Sequence, residues 1–576
     1  MAKNVNLTID GISVSVPEGT SILNAARSAN IHIPTLCWHE DQKVKANCRM
    51  CVVEIEGQPL LQTSCSFPAA EGMIVRTSTP DIIHHRRNIL ELILARHPLE
   101  CLTCQKSGAC ELQKIAEDLN MDRPSRYPID SRNMLRDRSS PSIVRDPNKC
   151  ILCGRCMEVC NDIQNIGVLA KENRGYYTII TPPYGKLLAD TACVNCGQCM
   201  QVCPVGAITI NDNTRDVYHA ISAGKTMCVQ VAPSVRTTIA EALGEEPGTV
   251  STGRLVTALK RLGFNYVFDS DFSADLTIME EGSELLDRLK NGGVLPMMTS
   301  CCPAWVKYCE TFYPDYTAHL SSAKSPQQMF GAVIKTFFAE KSGIDAGDIY
   351  SVSIMPCTAK KFECKRAEMN DSGYQDVDMS LTVQELARMV RAGGIDFKTL
   401  EETPFDSPFG LGSGAGEIFA ATGGVMEAAL RTVYELVTGE ELKNLDFTAV
   451  RGIEGIKEAS VDLNGTVVKV AVVHTLSRAR EMMERVVAGT ADYQFIEVMA
   501  CPGGCIGGAG NPVRSWKKVL KRTESVYEQD KKLPVRKSHE NKEVKMLYSE
   551  YLGQPLSEKS EHLLHTRYFD RRDILR

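Results

Sequence analysis

The sequence predicts a multidomain protein, α+β in its first third and α/β in the larger part that follows. Three observations predict this. The chain has 576 residues, more than one hydrophobic core accommodates, and most of its 23 cysteines are bunched in separate groups. Its opening residues alternate apolar and polar with a period of two, the mark of strands with one buried face. From about residue 225 to 510, short apolar runs alternate with helical patterns, which points to substantially parallel sheet.

Val5, Leu7 and Ile9, then Ile12, Val14 and Val16, form two alternating runs around Asp10-Gly11, a hairpin signal. Thr20 and Ser21 are cap residues for a helix over about 22–29. Hairpin, helix and a cysteine-bearing loop give a small α+β domain over residues 1–78. Residues 79–140 form a second unit. Ile89, Leu90, Leu92, Ile93 and Leu94 predict helix before His97-Pro98, and an arginine-rich connector follows from Arg123 to Arg145. Residues 141–212 hold an internal duplication. Residues 220–512 form the α/β part, with its clearest strands at 227–231, 294–298, 352–355, 467–473 and 495–499. Residues 513–576 are a basic, cysteine-free, helical-looking tail.

Charged residues make up 24% and hydrophobic residues 43%, ordinary for a soluble globular protein. A net charge of −6 gives no sign of nucleic-acid binding. No run approaches the ~18 consecutive apolar residues of a membrane span. Met1-Ala2-Lys3-Asn4 leads into a strand pattern and not into a signal peptide, and Arg86-Arg87 lies too far inside to be a twin-arginine signal. These features predict a cytoplasmic protein whose cysteines are thiolate ligands and not disulfides.

Cys37, Cys48, Cys51 and Cys65 are spaced C-x10-C-x2-C-x13-C. Four thiolates suit two irons sharing two sulfides, and the hairpin–helix context suits a β-grasp [2Fe-2S] ferredoxin module. A zinc site is the bland rival. His97, Cys101, Cys104 and Cys110 supply one imidazole and three thiolates, a candidate His/Cys3 [4Fe-4S] group. The run Cys150-x2-Cys153-x2-Cys156-x3-Cys160 is echoed by Cys193-x2-Cys196-x2-Cys199-x3-Cys203. In two-cluster ferredoxins the fourth cysteine binds the other cluster. One [4Fe-4S] then takes Cys150, Cys153, Cys156 and Cys203, and the other takes Cys160, Cys193, Cys196 and Cys199.

Three distant stretches remain: T-S-C-C-P-A-W around Cys302, M-P-C-T-A-K-K around Cys357, and M-A-C-P-G-G-C holding Cys501 and Cys505. Each follows a strand-like run, and sites in open α/β sheets collect at the carboxyl ends of strands. Gly503 and Gly504 allow close approach to a bulky group. In order and setting these motifs resemble the signature of [FeFe]-hydrogenases. The first 210 residues or so resemble the accessory domain of the large, five-cluster members.

The resemblance implies the following. Cys302, Cys357, Cys501 and Cys505 hold a [4Fe-4S] cube, and Cys505 bridges to a diiron subsite carrying CO, cyanide and an azadithiolate made by maturases. Together these form the H-cluster. Cys301 relays protons, and Glu281, Ser321, Glu284 and Arg288 carry them to solvent. Lys360 hydrogen-bonds one cyanide, Pro233 and Ser234 surround the other, and Gln327, Met355 and Met499 line the subsite. A neutral thiol passes a proton without leaving a lasting buried charge, and a carboxylate chain suits proton traffic. Read without the resemblance, Glu281 and Glu284 are an exposed helix face, and Cys301, Met355 and Met499 are ordinary core. The chain departs from the family pattern at Ala304 and at Gly508-Ala509-Gly510-Asn511. The tail, with His565-Thr566-Arg567-Tyr568, resembles the small subunit of two-chain members, fused on.

The implied reaction is reversible: two protons and two electrons give H2. The front end also resembles that of the iron–sulfur subunit of respiratory NADH dehydrogenase. This favours flavin/NAD(P)-binding and [2Fe-2S] partner subunits over service by ferredoxin. Gly412-Ser413-Gly414-Ala415-Gly416 lacks the strand context of a dinucleotide fingerprint. An electron-wiring subunit would not need Cys301 or Lys360, and a hydrogen sensor in this family tends to lose the relay cysteine.

Overall fold

A computed structural model describes residues 3–121, 127, 133–463 and 465–575. Part of the connector that starts at Arg123 therefore lies outside the described residues. At the front, β1 (Asn4–Ile9) and β2 (Ile12–Pro17) form the hairpin, with Asp10 and Gly11 both at positive φ as a type I′ turn requires. The helix Ile22–Ser28 is capped by Ser21, whose hydroxyl accepts from Asn24 N–H. Its Ile22, Leu23, Ala25 and Ala26 face the sheet completed by β3 (Val52–Ile55), β4 (Gln62–Thr63) and β5 (Ile74–Arg76), in the order β2-β1-β5-β3-β4.

The second unit is two helices, Pro80–Leu94 and Glu111–Asp118, separated by the His97 to Cys110 loop. The duplicated region carries only short pairs. β6 (Ile143–Arg145) pairs with β9 (Ile208–Ile210), and β7 (Ala170–Glu172) with β8 (Ile179–Thr181).

The α/β part is built on two four-stranded sheets. In the first, β10 (Thr226–Val231), β11 (Tyr266–Asp269), β13 (Ile349–Met355) and β14 (Met379–Thr382) are all parallel, ordered β11-β10-β13-β14. The second is ordered β12-β17-β16-β15, from β12 (Met297–Met298), β15 (Ile456–Leu463), β16 (Thr466–His474) and β17 (Phe495–Met499). It is parallel except for the β15–β16 hairpin. The apolar run at 294–298 yields only two strand residues, because Pro296 has no N–H to give a ladder. Among the described residues, no helix is long and apolar enough to cross a membrane.

The tail is helical as its sequence suggests, with helices Trp516–Lys532, Lys542–Leu547 and Glu558–Leu564. It crosses the molecule. Near its start, Trp516 N–H donates to Glu40 at 2.9 Å and Arg514 pairs with Asp41 at 2.6 Å, close in sequence to Cys37. Farther on, Arg522 forks onto Glu241 at 2.8 Å through two nitrogens, and Arg431 pairs with Asp530 at 2.9 Å.

Candidate active site

The carboxyl ends of β10, β12, β13 and β17 converge on one cavity between the two sheets. Cys357 follows Met355 by two residues and Cys501 follows Met499 by two. Cys302 stands just before the helix Pro303–Phe312; burial pushes its thiol up, and the N–H groups of Ala500, Trp305 and Ala304 oppose that shift. Cys505 opens a short 3₁₀ turn. All four cysteines line this cavity, with Cys301, Lys360, Pro233, Ser234, Gln327, Met355 and Met499. Ser234 Oγ is buried without a hydrogen-bond partner among the described residues. Four converging thiols, one ammonium and an unused hydroxyl are a donor set that fits an anionic metal cluster.

Gly504 lines the cavity, and both Gly503 and Gly504 have a second reason besides approach to the inorganic group. Both have positive φ. A Cβ on Gly504 would stand 2.5 Å from Thr422 N, and one on Gly503 would stand 2.7 Å from Val519 of the tail. The glycines admit neighbouring protein.

Lys360 is held by a residue that sequence reasoning missed. One oxygen of Glu363 accepts from Lys360 Nζ at 2.8 Å, Ser325 Oγ at 2.9 Å and Gln327 Nε2 at 3.0 Å. Burial opposes the Lys360 charge, but Glu363 outweighs it and keeps the ammonium protonated. The i,i+3 spacing of Lys360 and Glu363 was a readable signal. Phe419 and Ala420 also line the cavity and were missed. The unassigned glycines upstream explain their delivery. A Cβ on Gly412 would meet Asp271 Cβ at 2.1 Å and one on Gly416 would meet Asp271 O at 2.7 Å. Only glycine lets that loop lie so close to the long helix Ser270–Asn291.

That helix carries Glu281, Glu284 and Arg288 on one face, running outward from Cys301. Glu281 is 1% exposed and Glu284 is 9% exposed, so they are not an exposed helix face. Burial, and then the Glu284 charge, pushes the Glu281 carboxyl up to about 8. Glu281 is the first charge acting on Cys301, whose thiol burial holds well above its ordinary value. Ser321 Oγ donates to Glu284 at 2.7 Å, and Arg288 donates to Glu284 at 2.6 Å from a side chain 13% exposed. Cys301 lines the cavity and Arg288 reaches the surface, with Glu281, Ser321 and Glu284 buried between them; neither Glu281 oxygen makes a hydrogen bond among the described residues.

The cysteines before residue 210 gather in groups. Cys150, Cys153, Cys156 and Cys203 line one cavity, and Cys160, Cys193, Cys196 and Cys199 line another. The fourth cysteine of each run sits with the other run's first three. Thiols of Cys37 and Cys48 are hydrogen-bonding neighbours, as are those of Cys51 and Cys65. Cys101 and Cys104 both act on Cys110. Burial, then Lys149, lowers His97 to about 4, so its imidazole is neutral, and its Nδ1 is buried with no partner among the described residues. A metal ligand needs both properties.

The duplicated region is docked directly on the loops that carry the cavity cysteines. Ser142 Oγ donates to Thr358 O at 2.7 Å, and Thr358 Oγ1 donates to Asn195 O at 2.8 Å. Gln164 donates to Ala500 O at 3.0 Å and Gln201 to Asn511 O at 2.9 Å. A Cβ on Gly197 would stand 2.4 Å from Thr358 Oγ1. Cys196 lies close enough to Cys357 and Cys501 for their charges to act on one another.

Comparison with known proteins follows the same division. Residues 225–509 match the C-terminal domain of the iron-only hydrogenase large subunit, and 517–571 match the iron hydrogenase small subunit. Residues 2–80 match a 2Fe-2S cluster-binding domain, 86–125 the iron–sulfur region of NADH-ubiquinone oxidoreductase G, and 149–207 a 4Fe-4S dicluster domain. The chain is 48% identical to the NADP-reducing hydrogenase subunit HndD of Solidesulfovibrio fructosivorans, over 99% of this chain and 100% of that one. It is 39% identical to iron hydrogenase 1 of Clostridium pasteurianum, over 98% and 99%. A solved [FeFe]-hydrogenase HydA1 variant from Chlamydomonas reinhardtii superposes with a TM-score of 0.56 at 42% identity, covering 62% of this chain and 98% of that one. Full-length likeness of this kind leaves one conclusion: the chain belongs to the iron-only hydrogenases, enzymes that interconvert hydrogen with protons and electrons, here through accessory iron–sulfur clusters.

Proposed function

We propose that the cavity walled by Cys302, Cys357, Cys501 and Cys505 is where hydrogen is made and consumed. The carrying observation is that thiols from three distant segments line one buried space together with Cys301 and Lys360. These four cysteines would hold the H-cluster, with Cys505 bridging to its diiron subsite. When bound, that group supplies the open metal position at which hydrogen is split or formed. Lys360, Pro233 and Ser234 would orient its cyanides, while Gln327, Met355 and Met499 shape the pocket and exclude water.

Cys301 sits between cavity and Glu281, and both groups are protonated at neutral pH, so each can give a proton inward and be refilled from outside. Ser321, anchored on Glu284, hands the proton across, and Arg288 holds Glu284 at the surface end. Electrons would enter and leave through the [2Fe-2S] group (Cys37, Cys48, Cys51, Cys65), the His97/Cys101/Cys104/Cys110 group and the two ferredoxin groups. The group nearest Cys196 would be last before the cavity.

The NADP-reducing name of the full-length relative supports an NAD(P)-linked complex, with flavin and [2Fe-2S] subunits as partners. We place this assembly in the cytoplasm, where thiolates stay reduced. Co-purification from the host separates it from service by ferredoxin alone. The chemical reading is tested on matured protein by infrared bands of bound CO and cyanide and by turnover with a viologen dye. Cys301→Ala should keep the bands and lose ~10²–10⁴-fold in turnover. A variant as fast as the wild type overturns the relay.

A further inference from the structure

Behind Cys505 lie a buried acid and a buried amine with no place in the proton chain. Glu497, on β17, is wholly buried. It accepts from Gly423 N–H at 2.7 Å and from Met426 N–H at 2.8 Å. It thereby caps the helix Gly424–Thr438, whose own cap residue is a glycine with no side chain to offer. Lys457, on β15, is buried and points at the same spot. Its Nζ donates to Gly452 O at 3.0 Å, and to Thr422 O and Thr422 Oγ1 at 3.4 Å. Glu497 is the main charge opposing the effect of burial on Lys457.

The Thr422-Gly423 dipeptide is thus gripped from both sides, its hydroxyl and carbonyl by Lys457 and its next N–H by Glu497. The same dipeptide braces the cysteine loop. Thr422 N–H donates to Gly503 O at 3.1 Å, and Gly504, which precedes Cys505, lies flush against the Ala421–Thr422 peptide. Just upstream, Phe419 and Ala420 form part of the cavity wall.

We infer that Lys457 and Glu497 are positioning residues for Cys505. Through Thr422-Gly423 they fix where the loop holds the Cys505 sulfur in the cavity wall, and they place a buried acid and a buried amine behind that sulfur. This rests on the reading of the cavity as the H-cluster site. Residues that serve the fold alone could be exchanged at a stability cost without moving the signature of the bound group. A buried charge close to a ligand thiolate changes the electron density that thiolate donates, as hydrogen bonds to cluster sulfurs do.

The test compares Lys457→Met, Lys457→Arg, Glu497→Gln and the milder Thr422→Val, each full length and matured. Circular dichroism and [4Fe-4S] absorbance check folding. The readouts are the CO and cyanide infrared frequencies and the fraction of diiron subsite retained after desalting. Lys457→Met and Glu497→Gln should shift the CO bands and retain at least threefold less subsite. Lys457→Arg should recover most of both, and Thr422→Val should give a smaller shift in the same direction. Folded variants with wild-type frequencies and wild-type retention overturn the inference; should Lys457→Met not fold, Thr422→Val alone decides by the same criterion. Bands missing from the wild type as well would sink the H-cluster reading first, and this inference with it.

Discussion

Ser322 Oγ and His565 Nδ1 stand 2.8 Å apart, and this contact joins the tail to the acid chain of the catalytic part. On its other side the His565 ring meets Glu280 at 3.1 Å, a buried carboxylate that Tyr548, Ser560 and Leu556 N–H also satisfy. Ser322 in turn gives its N–H to Glu284 at 3.0 Å, and Thr566 gives its N–H to Ser322 O at 2.7 Å. Tyr568 closes the same edge by donating to Ser321 O.

His565→Ala should therefore do two things. It leaves Glu280 buried without its ring partner, at a cost of about 2–4 kcal/mol, seen as a lower unfolding temperature. It also loosens Glu284, so viologen-linked turnover should fall several-fold while the infrared bands keep their positions. Unchanged turnover in the folded variant would mean that the tail merely covers the path.

Glu281 gives the enzyme a pH dependence of known sign. Its carboxyl is raised from 4.5 to about 8 in the folded chain, so it stays protonated across the neutral range. Proton reduction should decline as pH rises through about 8, when this donor ionises. Stability moves the same way, because the unfolded chain ionises first. The contribution is full below about pH 4.5, shrinks above it, and is lost once pH passes about 8. Glu281→Gln should flatten both profiles and gain up to roughly 4 kcal/mol of relative stability at pH 9, where the wild-type charge is buried. Urea unfolding at pH 6 and pH 9 checks this; parallel curves for variant and wild type would refute it.

Glu363→Ala removes the shared acceptor of Lys360, Ser325 and Gln327. An uncompensated ammonium then sits against the cavity, at a cost of about 3–5 kcal/mol. Calorimetry should show the loss, and the cyanide bands of the matured variant should broaden or split as Lys360 takes new partners. A single, unmoved pair of bands would show that Lys360 needs no such support.

Cys37→Ala bears on the remote end of the relay. Reduction by the natural partner should slow by at least tenfold, while hydrogen–deuterium exchange, which needs only the cavity and its proton chain, should be unaffected. Equal loss of both activities would place the group closer to the chemistry than its β-grasp setting implies.

Much of this was legible in the sequence because thiol groups announce themselves by spacing. The duplicated runs state their own cross-pairing, and Asp10-Gly11 states its turn. The α/β strands were legible wherever apolar residues continue unbroken, as at Phe495–Met499. They were not legible at 294–298, where Pro296 cuts the ladder short. The roles proposed for Cys301 and Glu281 came from resemblance, because a buried acid and an exposed helical one have the same local spacing. Glu497 and Lys457 stayed hidden for a further reason. They act on backbone groups 35 to 74 residues away, and no local periodicity records such a contact.

The crossed pattern of the ferredoxin cysteines has one more consequence. Since each cavity borrows its fourth thiol from the opposite run, neither repeat is a self-sufficient module. Exchanging Cys203 or Cys160 for a residue with no sulfur injures the centre built mainly by the other repeat. Removing either repeat whole disables both centres at once. The wire that resulted from duplication can no longer be shortened by undoing it.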